Sequence, residues 1–216
     1  MRRYAAALTL ALMLTAPIAK PVVAEGERAG AFDYYILSLS WSPGWCATTG
    51  DAQGADQCHP RHDHGFTLHG LWPQHETGWP SFCRTEAQDP SRRETVAMAD
   101  IMGSSGLAWY QWKKHGRCSG LSAGAYFAAA RQAYTAIALP REFQNLRKDL
   151  KLSAKSVEAA FLAANPGLVA EAITITCKAG RIHEARICLT RDLAPRACGA
   201  DVGHDCTQAA VMEAVR

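Results

Sequence analysis

Two histidines carry most of the chemical information in this 216-residue chain. His69 sits in Gly65-Phe66-Thr67-Leu68-His69-Gly70-Leu71-Trp72-Pro73-Gln74, and His115 in Trp109-Tyr110-Gln111-Trp112-Lys113-Lys114-His115-Gly116-Arg117-Cys118. An imidazole has an ordinary pKa of roughly 6.5, so it gives or takes a proton near neutral pH. Two of them on opposite sides of a phosphorus can work as base and acid. One removes the proton of a ribose 2′-hydroxyl; the other protonates the departing 5′-oxygen. The nucleophile is already tethered beside the phosphorus, which is an entropic advantage. Lys114, adjacent to His115, is the kind of fixed cation that stabilises charge on the non-bridging oxygens. The scheme needs no metal, and it requires a 2′-hydroxyl, so DNA is not a substrate for it.

The elements that must hold these side chains can be read from local patterns. Phe66 to His69 alternates as a short strand, Thr67 and His69 on one face and Phe66 and Leu68 on the other, before a Gly-Leu-Trp-Pro corner. Phe32 to Trp41 alternates as an earlier strand with one buried face, carrying Tyr35, Leu37, Leu39 and Trp41. Ser91, with Glu94 three residues on, predicts a helix start, with Val96, Met98, Ala99 and Met102 turned inside. Ser122 caps a second helix that runs to Leu139 and stops before Pro140. Arg141 to Leu150 is a third, shorter helix. Ser153 opens a fourth, ended by Asn165-Pro166-Gly167. Ile173 to Lys178 and Arg181 to Leu189 read as a hairpin turning at Ala179-Gly180. Early strands, middle helices and a late hairpin argue an α+β fold: a central antiparallel sheet with several helices packed around it, stapled by disulfides.

Export is expected. Arg2 and Arg3 precede an apolar run from Tyr4 to Ala16, followed by small residues, the order of a secretory leader. Cleavage is placed after Ala24, leaving residues 25–216 as one domain. The apolar run is too short and too soon broken for a membrane span. Removing the leader takes away Arg2, Arg3 and Lys20 and no acid, so the formal charge of +3 falls to about zero. An anionic partner must therefore be met by a local cluster.

Eight cysteines, Cys46, Cys58, Cys83, Cys118, Cys177, Cys188, Cys198 and Cys206, read as four disulfides in an oxidising compartment. They allow about a hundred pairings; only Cys46 with Cys58 and Cys188 with Cys198 suggest themselves as local bridges. No Cys-x-x-Cys is present, which argues against zinc and thioredoxin-like roles. His59, His62 and His64 are dense enough to suggest a metal cluster, but a polar loop beside an anion site is the preferred account of them. No Gly-x-Ser-x-Gly elbow points to a serine hydrolase.

Phe66-Thr67-Leu68-His69-Gly70-Leu71-Trp72-Pro73 and Trp112-Lys113-Lys114-His115-Gly116-Arg117-Cys118, in this order, resemble the two active-site segments of the ribonuclease T2 family. Ser40-Trp41-Ser42-Pro43 adds to the likeness, which extends from Phe32 to Cys206. The resemblance implies an endoribonuclease acting on single-stranded RNA through a 2′,3′-cyclic phosphate, without a cofactor and as a monomer. It implies His69 as general acid, His115 as general base and Lys114 as stabiliser of the pentavalent phosphorus. Trp72 resembles a ring on which a base stacks, and Gln74 lies where a base edge is met. Bridges Cys46–Cys58, Cys83–Cys118, Cys177–Cys206 and Cys188–Cys198 are also implied.

The second segment departs from the family, which often has His-Glu where this chain has Tyr110-Gln111. Tyr110 keeps a hydrogen bond for phosphate without a charge. Gln111, at a catalytic position, loses a carboxylate that would favour a protonated neighbouring histidine. His115 then deprotonates more easily, and a pH optimum nearer neutral is expected. A catalytically weakened RNA-binding relative is the alternative. Lys113 and Arg117 are expected on a solvated face, Trp112 and Trp109 in the core, and Asp51 and Asp63 on the surface without partners.

Overall fold

The computed structural model describes residues 27–202 and 205–216; the expected leader lies outside them. Among the described residues six strands form one sheet: β1 (Tyr34–Trp41), β2 (Phe66–Gln74), β3 (Leu150–Leu152), β4 (Ile173–Lys178), β5 (Arg181–Leu189) and β6 (Ala210–Met212). Their order is β2-β1-β5-β6-β3, with β4 also paired to β5. The sheet is not antiparallel throughout, because β5 meets β6 in parallel at Arg181 and Val211. The β4–β5 hairpin turns at Ala179 and Gly180, both at positive φ.

β1 is a central strand, and both of its faces are buried rather than one. Tyr35, Leu37, Leu39 and Trp41 face the main core. Tyr34 and Ile36 pack on the other side with Cys188 and Val202. Strands β2 and β5 pair both of its edges, and the two clusters cover its faces.

β2 does not turn a corner after His69 but continues through Gln74. Pro73 is tolerated because β2 is an edge strand. Register slips between the pairs Ser38–Gly70 and Leu39–Leu68, leaving His69 as the extra residue of a bulge. The slip changes the phase of the strand. Leu68 and Leu71, three apart, are both fully buried, while the rings of His69 and Trp72 meet on the opposite side. An unbulged strand would put residues three apart on opposite faces.

The helices are α1 (Ser42–Trp45), α2 (Arg92–Val96), α3 (Ala99–Met102), α4 (Ser105–Lys114), α5 (Ala123–Ala136), α6 (Arg141–Gln144) and α7 (Ala154–Ala164). Ser91 and Glu94 form a capping box, and Ser122 and Ser153 cap α5 and α7 through the N–H groups of Ala125 and Ser156. The helix expected from Ser91 is split in two; Met98 and Met102 are buried, but Val96 is exposed. α5 stops at Ala136 rather than Leu139, because the Asn165 side chain binds both the N–H and the carbonyl of Ala138 and draws that segment out of the helix. The helix expected over Arg141 to Leu150 ends at Gln144, and Leu150 opens β3.

Disulfides join Cys46 to Cys58, Cys83 to Cys118, Cys177 to Cys206 and Cys188 to Cys198. Asp51 is not without a partner: Arg216 forks onto it and onto the carbonyl of Cys58. Among the described residues no helix is long and apolar enough to cross a membrane.

Candidate active site

The second histidine segment is helical. Ser104 caps α4 by accepting from the Leu107 N–H, and His115 ends it, donating its N–H to the Gln111 carbonyl at 2.9 Å. Helical spacing places Gln111, Lys114 and His115 on one face. The opposite face is anchored. Trp112 is fully buried and donates its indole N–H to Asp89 at 2.8 Å. Arg117 forks onto the same carboxylate, which holds Asp89 below the usual carboxylate range together with the Trp112 bond. Arg117 is thus an ion-pair partner and not part of a solvated basic face. Trp109 is only half-buried, not core. The Cys83–Cys118 bridge and the hydrogen bond from Phe82 N–H to the Lys114 carbonyl tie the end of α4 to the preceding loop.

α4 and β2 meet through Trp72. Its indole N–H donates to Gln111 Oε1 at 2.7 Å. Its ring stacks on His115, centroids 5.1 Å apart and planes inclined by 23°. Its other neighbour is His69, edge to face at 5.2 Å. Gly70 is required here, because a Cβ would run into both Gln111 Oε1 and the Trp72 indole nitrogen. Gly116 likewise lets the Trp112 and Tyr126 rings close on the end of α4. The glycine after each histidine therefore serves packing of aromatic rings.

A cleft of about 460 Å3 brings together His69, Trp72, Gln74, Tyr110, Gln111, Lys114 and His115. Every residue singled out from the sequence as catalytic or binding lines it. Their roles within it differ in kind. Gln111 is buried and engaged with Trp72. Gln74 is buried at the end of β2. Tyr110 is 45% exposed, with Lys114 Nζ 6.0 Å from its ring centroid. Trp72 has one face occupied by His115 and Arg186 5.5 Å over the ring, so it is a partition more than an open platform. The cysteines line no part of the cleft; they brace the segments around it.

The two imidazoles have opposite settings. His115 is 5% exposed. Burial, then the charges of Lys114 and His69, push it down to about 3, so it is neutral over the ordinary pH range. Its Nδ1 is buried without a hydrogen-bond partner among the described residues, which leaves Nε2 as the nitrogen able to meet a substrate. His69 is half-exposed, and its Nδ1 lies 2.5 Å from Oε1 of Glu184 on β5.

Glu184, His183, Arg186 and Trp79 also line the cleft and were not singled out from the sequence. A signal was present for two of them: Glu184 and Arg186 are opposite charges two residues apart in a strand, hence on one face. Trp79 is 58% exposed and follows the strand in a loop, where no periodicity marks it. The dense histidines fall elsewhere. His62 contacts Asp56 and stacks on His64, and among the described residues no His, Cys, Asp or Glu group is arranged to hold a metal.

A disulfide-stapled α+β fold with two imidazoles and a lysine gathered in one cleft defines the class of protein. Residues 32–198 match the model of the Ribonuclease T2 family. The chain belongs to the ribonuclease T2 family. It is 47% identical over 111 residues to a ribonuclease of Aeromonas hydrophila, covering 51% of this chain and 48% of that protein. It is 33% identical over 137 residues to a probable ribonuclease of Haemophilus influenzae, covering 57% and 50%. The chain thus spans about half the length of these curated relatives. In fold it is similar to an RNase-related protein from Calystegia sepium, with a TM-score of 0.68, 20% identity, and coverage of 86% of this chain and 98% of that one.

Proposed function

We propose that this chain is an exported endoribonuclease that cleaves single-stranded RNA by transphosphorylation. The observation that carries the reading is the placement of His69 and His115, both against the Trp72 ring, with Lys114 in one cleft. His115 Nε2 takes the proton of the 2′-hydroxyl, O2′ attacks phosphorus, and the P–O5′ bond breaks as His69 Nε2 supplies a proton to O5′. The products are a 2′,3′-cyclic phosphate and a free 5′-hydroxyl; hydrolysis of the cycle to a 3′-phosphate is the reverse use of the same groups. Lys114 neutralises the non-bridging oxygens. No carboxylate pairs with it among the described residues, so its charge is available to a substrate.

Burial keeps His115 neutral, the protonation state that a base requires. The exposed rings of Trp79 and Tyr110 offer the base-stacking surface that Trp72 lacks. Beyond His69 lies a neighbouring cleft of about 420 Å3 lined by Ser40, Thr67, Leu107 and His183, where the leaving nucleoside has room. Four disulfides support an exported location.

The test is to incubate the oxidised protein with RNA and with DNA in excess chelator and identify the new ends. Cyclic-phosphate ends on RNA alone are expected. Cleavage of DNA, loss of activity in chelator, or ends bearing a 5′-phosphate would sink the reading.

A further inference from the structure

Glu184 belongs to no part of the chemistry set out so far, and its position is unusual. It lies in mid-sheet, paired in register with Ser40 on β1 and Thr176 on β4, and is 1% exposed. A carboxylate there is unfavourable unless its oxygens are fully engaged. They are. Oε1 meets His69 Nδ1 at 2.5 Å. Oε2 accepts from Arg186 Nε at 2.8 Å and lies 2.7 Å from a terminal guanidinium nitrogen in the same ion pair. Burial disfavours the charge, but the His69 hydrogen bond and the charges of His69, Arg186 and His183 outweigh it and bring the carboxyl down to about 2. Glu184 is therefore ionised and can only accept. His69 Nδ1 must be the donor, which leaves Nε2 as the reacting nitrogen.

His69 needs such an anchor. As the extra residue of the β2 bulge it has no cross-strand partner, and Trp72 touches its ring only edge to face. Nothing on α4 supplies a carboxylate to the site, since position 111 is a glutamine already committed to Trp72. We infer that Glu184 is the positioning residue of His69: its buried carboxylate accepts from Nδ1–H and so holds the protonated imidazole in the ring plane from which Nε2–H delivers a proton to the leaving oxygen. This inference rests on the ribonuclease reading.

Arg186 makes Glu184→Gln an informative variant. The guanidinium keeps the amide oxygen, so the amide NH2 turns toward His69 Nδ1 and meets an N–H where an acceptor stood. The wild type, Glu184→Gln, His69→Ala and the double variant are compared for kcat and KM on a dinucleotide, with thermal melting to check folding. Imidazole 15N NMR at neutral pH reports whether His69 Nδ1 carries a proton. Glu184→Gln is expected to lower kcat about 100-fold with KM changed less than about twofold, as for a group acting through another. On the His69→Ala background the same change should alter kcat less than about threefold. The wild-type NMR signal should show a protonated Nδ1. The inference is overturned by a kcat within about threefold of wild type, by an equal loss on both backgrounds, or by a wild-type Nδ1 without a proton. The NMR result decides it even if the variant fails to fold. A folded wild type inert toward RNA sinks the ribonuclease reading instead and leaves the Nδ1 measurement standing.

Discussion

Trp72 lies face to face with His115, ring centroids 5.1 Å apart. One tryptophan at the end of a bulged strand thereby sets the position of a histidine at the end of a helix. The same ring meets His69 and is locked by Gln111. The spacing of the two imidazoles, the proposed acid and base, is therefore set by a side chain to which no proton transfer is assigned.

Substitution should separate this partition from the base-stacking surface. Trp79→Ala is expected to raise KM by about 5- to 150-fold with kcat nearly unchanged, matching the roughly 1–3 kcal/mol of one base stack. Trp72→Ala should instead lower kcat, because His115 loses the ring that holds it. Steady-state kinetics on short single-stranded RNA of defined sequence checks both. Equal effects on KM from the two variants would contradict the division.

The pH profile follows from His115. Its folded value of about 3 means that the base is lost only when pH falls through that value. The acid limb of kcat/KM is expected below pH 4, measured on a dinucleotide substrate. An optimum moved toward neutral by the loss of a carboxylate at Gln111 does not follow. Easier deprotonation of the base carries the acid limb down, not up. An acid limb governed by a group near 6 would contradict the assignment of His115 as base.

The same burial predicts an acid weakness in stability. Between its ordinary value near 6.5 and about 3, the unfolded chain holds a proton on His115 that the folded chain does not. Stability therefore falls as pH drops through this window, by at most about 1.4 kcal/mol per pH unit from this residue. Glu184 adds to the loss below about 4.5, since its folded carboxyl resists protonation to about 2. Urea melts at pH 7, 5.5 and 4 should show a shallower decline for His115→Gln than for wild type.

Reducing individual bridges should matter unequally. Cys83–Cys118 closes a separation of 35 residues, against 10 for Cys188–Cys198. The chain-entropy argument gives about 4 and about 3 kcal/mol. Cys83→Ala/Cys118→Ala should also impair kcat, because that bridge braces the segment bearing Lys114 and His115. Denaturant midpoints and kinetics of the double variants test this.

Much of the site was legible in the sequence because each half is a short continuous segment. Thr67 to Trp72 and Tyr110 to His115 carry their chemistry in adjacent residues, and helix caps such as Ser122 and Ser153 are local signals. What escaped was long-range. Glu184 lies 115 residues from His69 in the chain, so only the sheet, which sets β5 beside β1 and β1 beside β2, brings them together. The bulge at His69 was hidden for a related reason. Alternation within β2 alone gives no sign that the partner strand slips by one residue between Ser38 and Leu39. Val96 was misplaced because one helical period was carried across a chain that breaks between α2 and α3.

The central claim is that His115 is the base and His69 the acid. It is tested most directly by a nucleoside 3′-(p-nitrophenyl) phosphate, whose leaving group needs no proton. On RNA, His69→Ala and His115→Ala should each lose about 1,000-fold in kcat/KM. On the activated ester His69→Ala should recover to within about tenfold of wild type, while His115→Ala stays about 1,000-fold down. Recovery of His115→Ala with no recovery of His69→Ala would reverse the roles, and equal behaviour of the two would contradict the account.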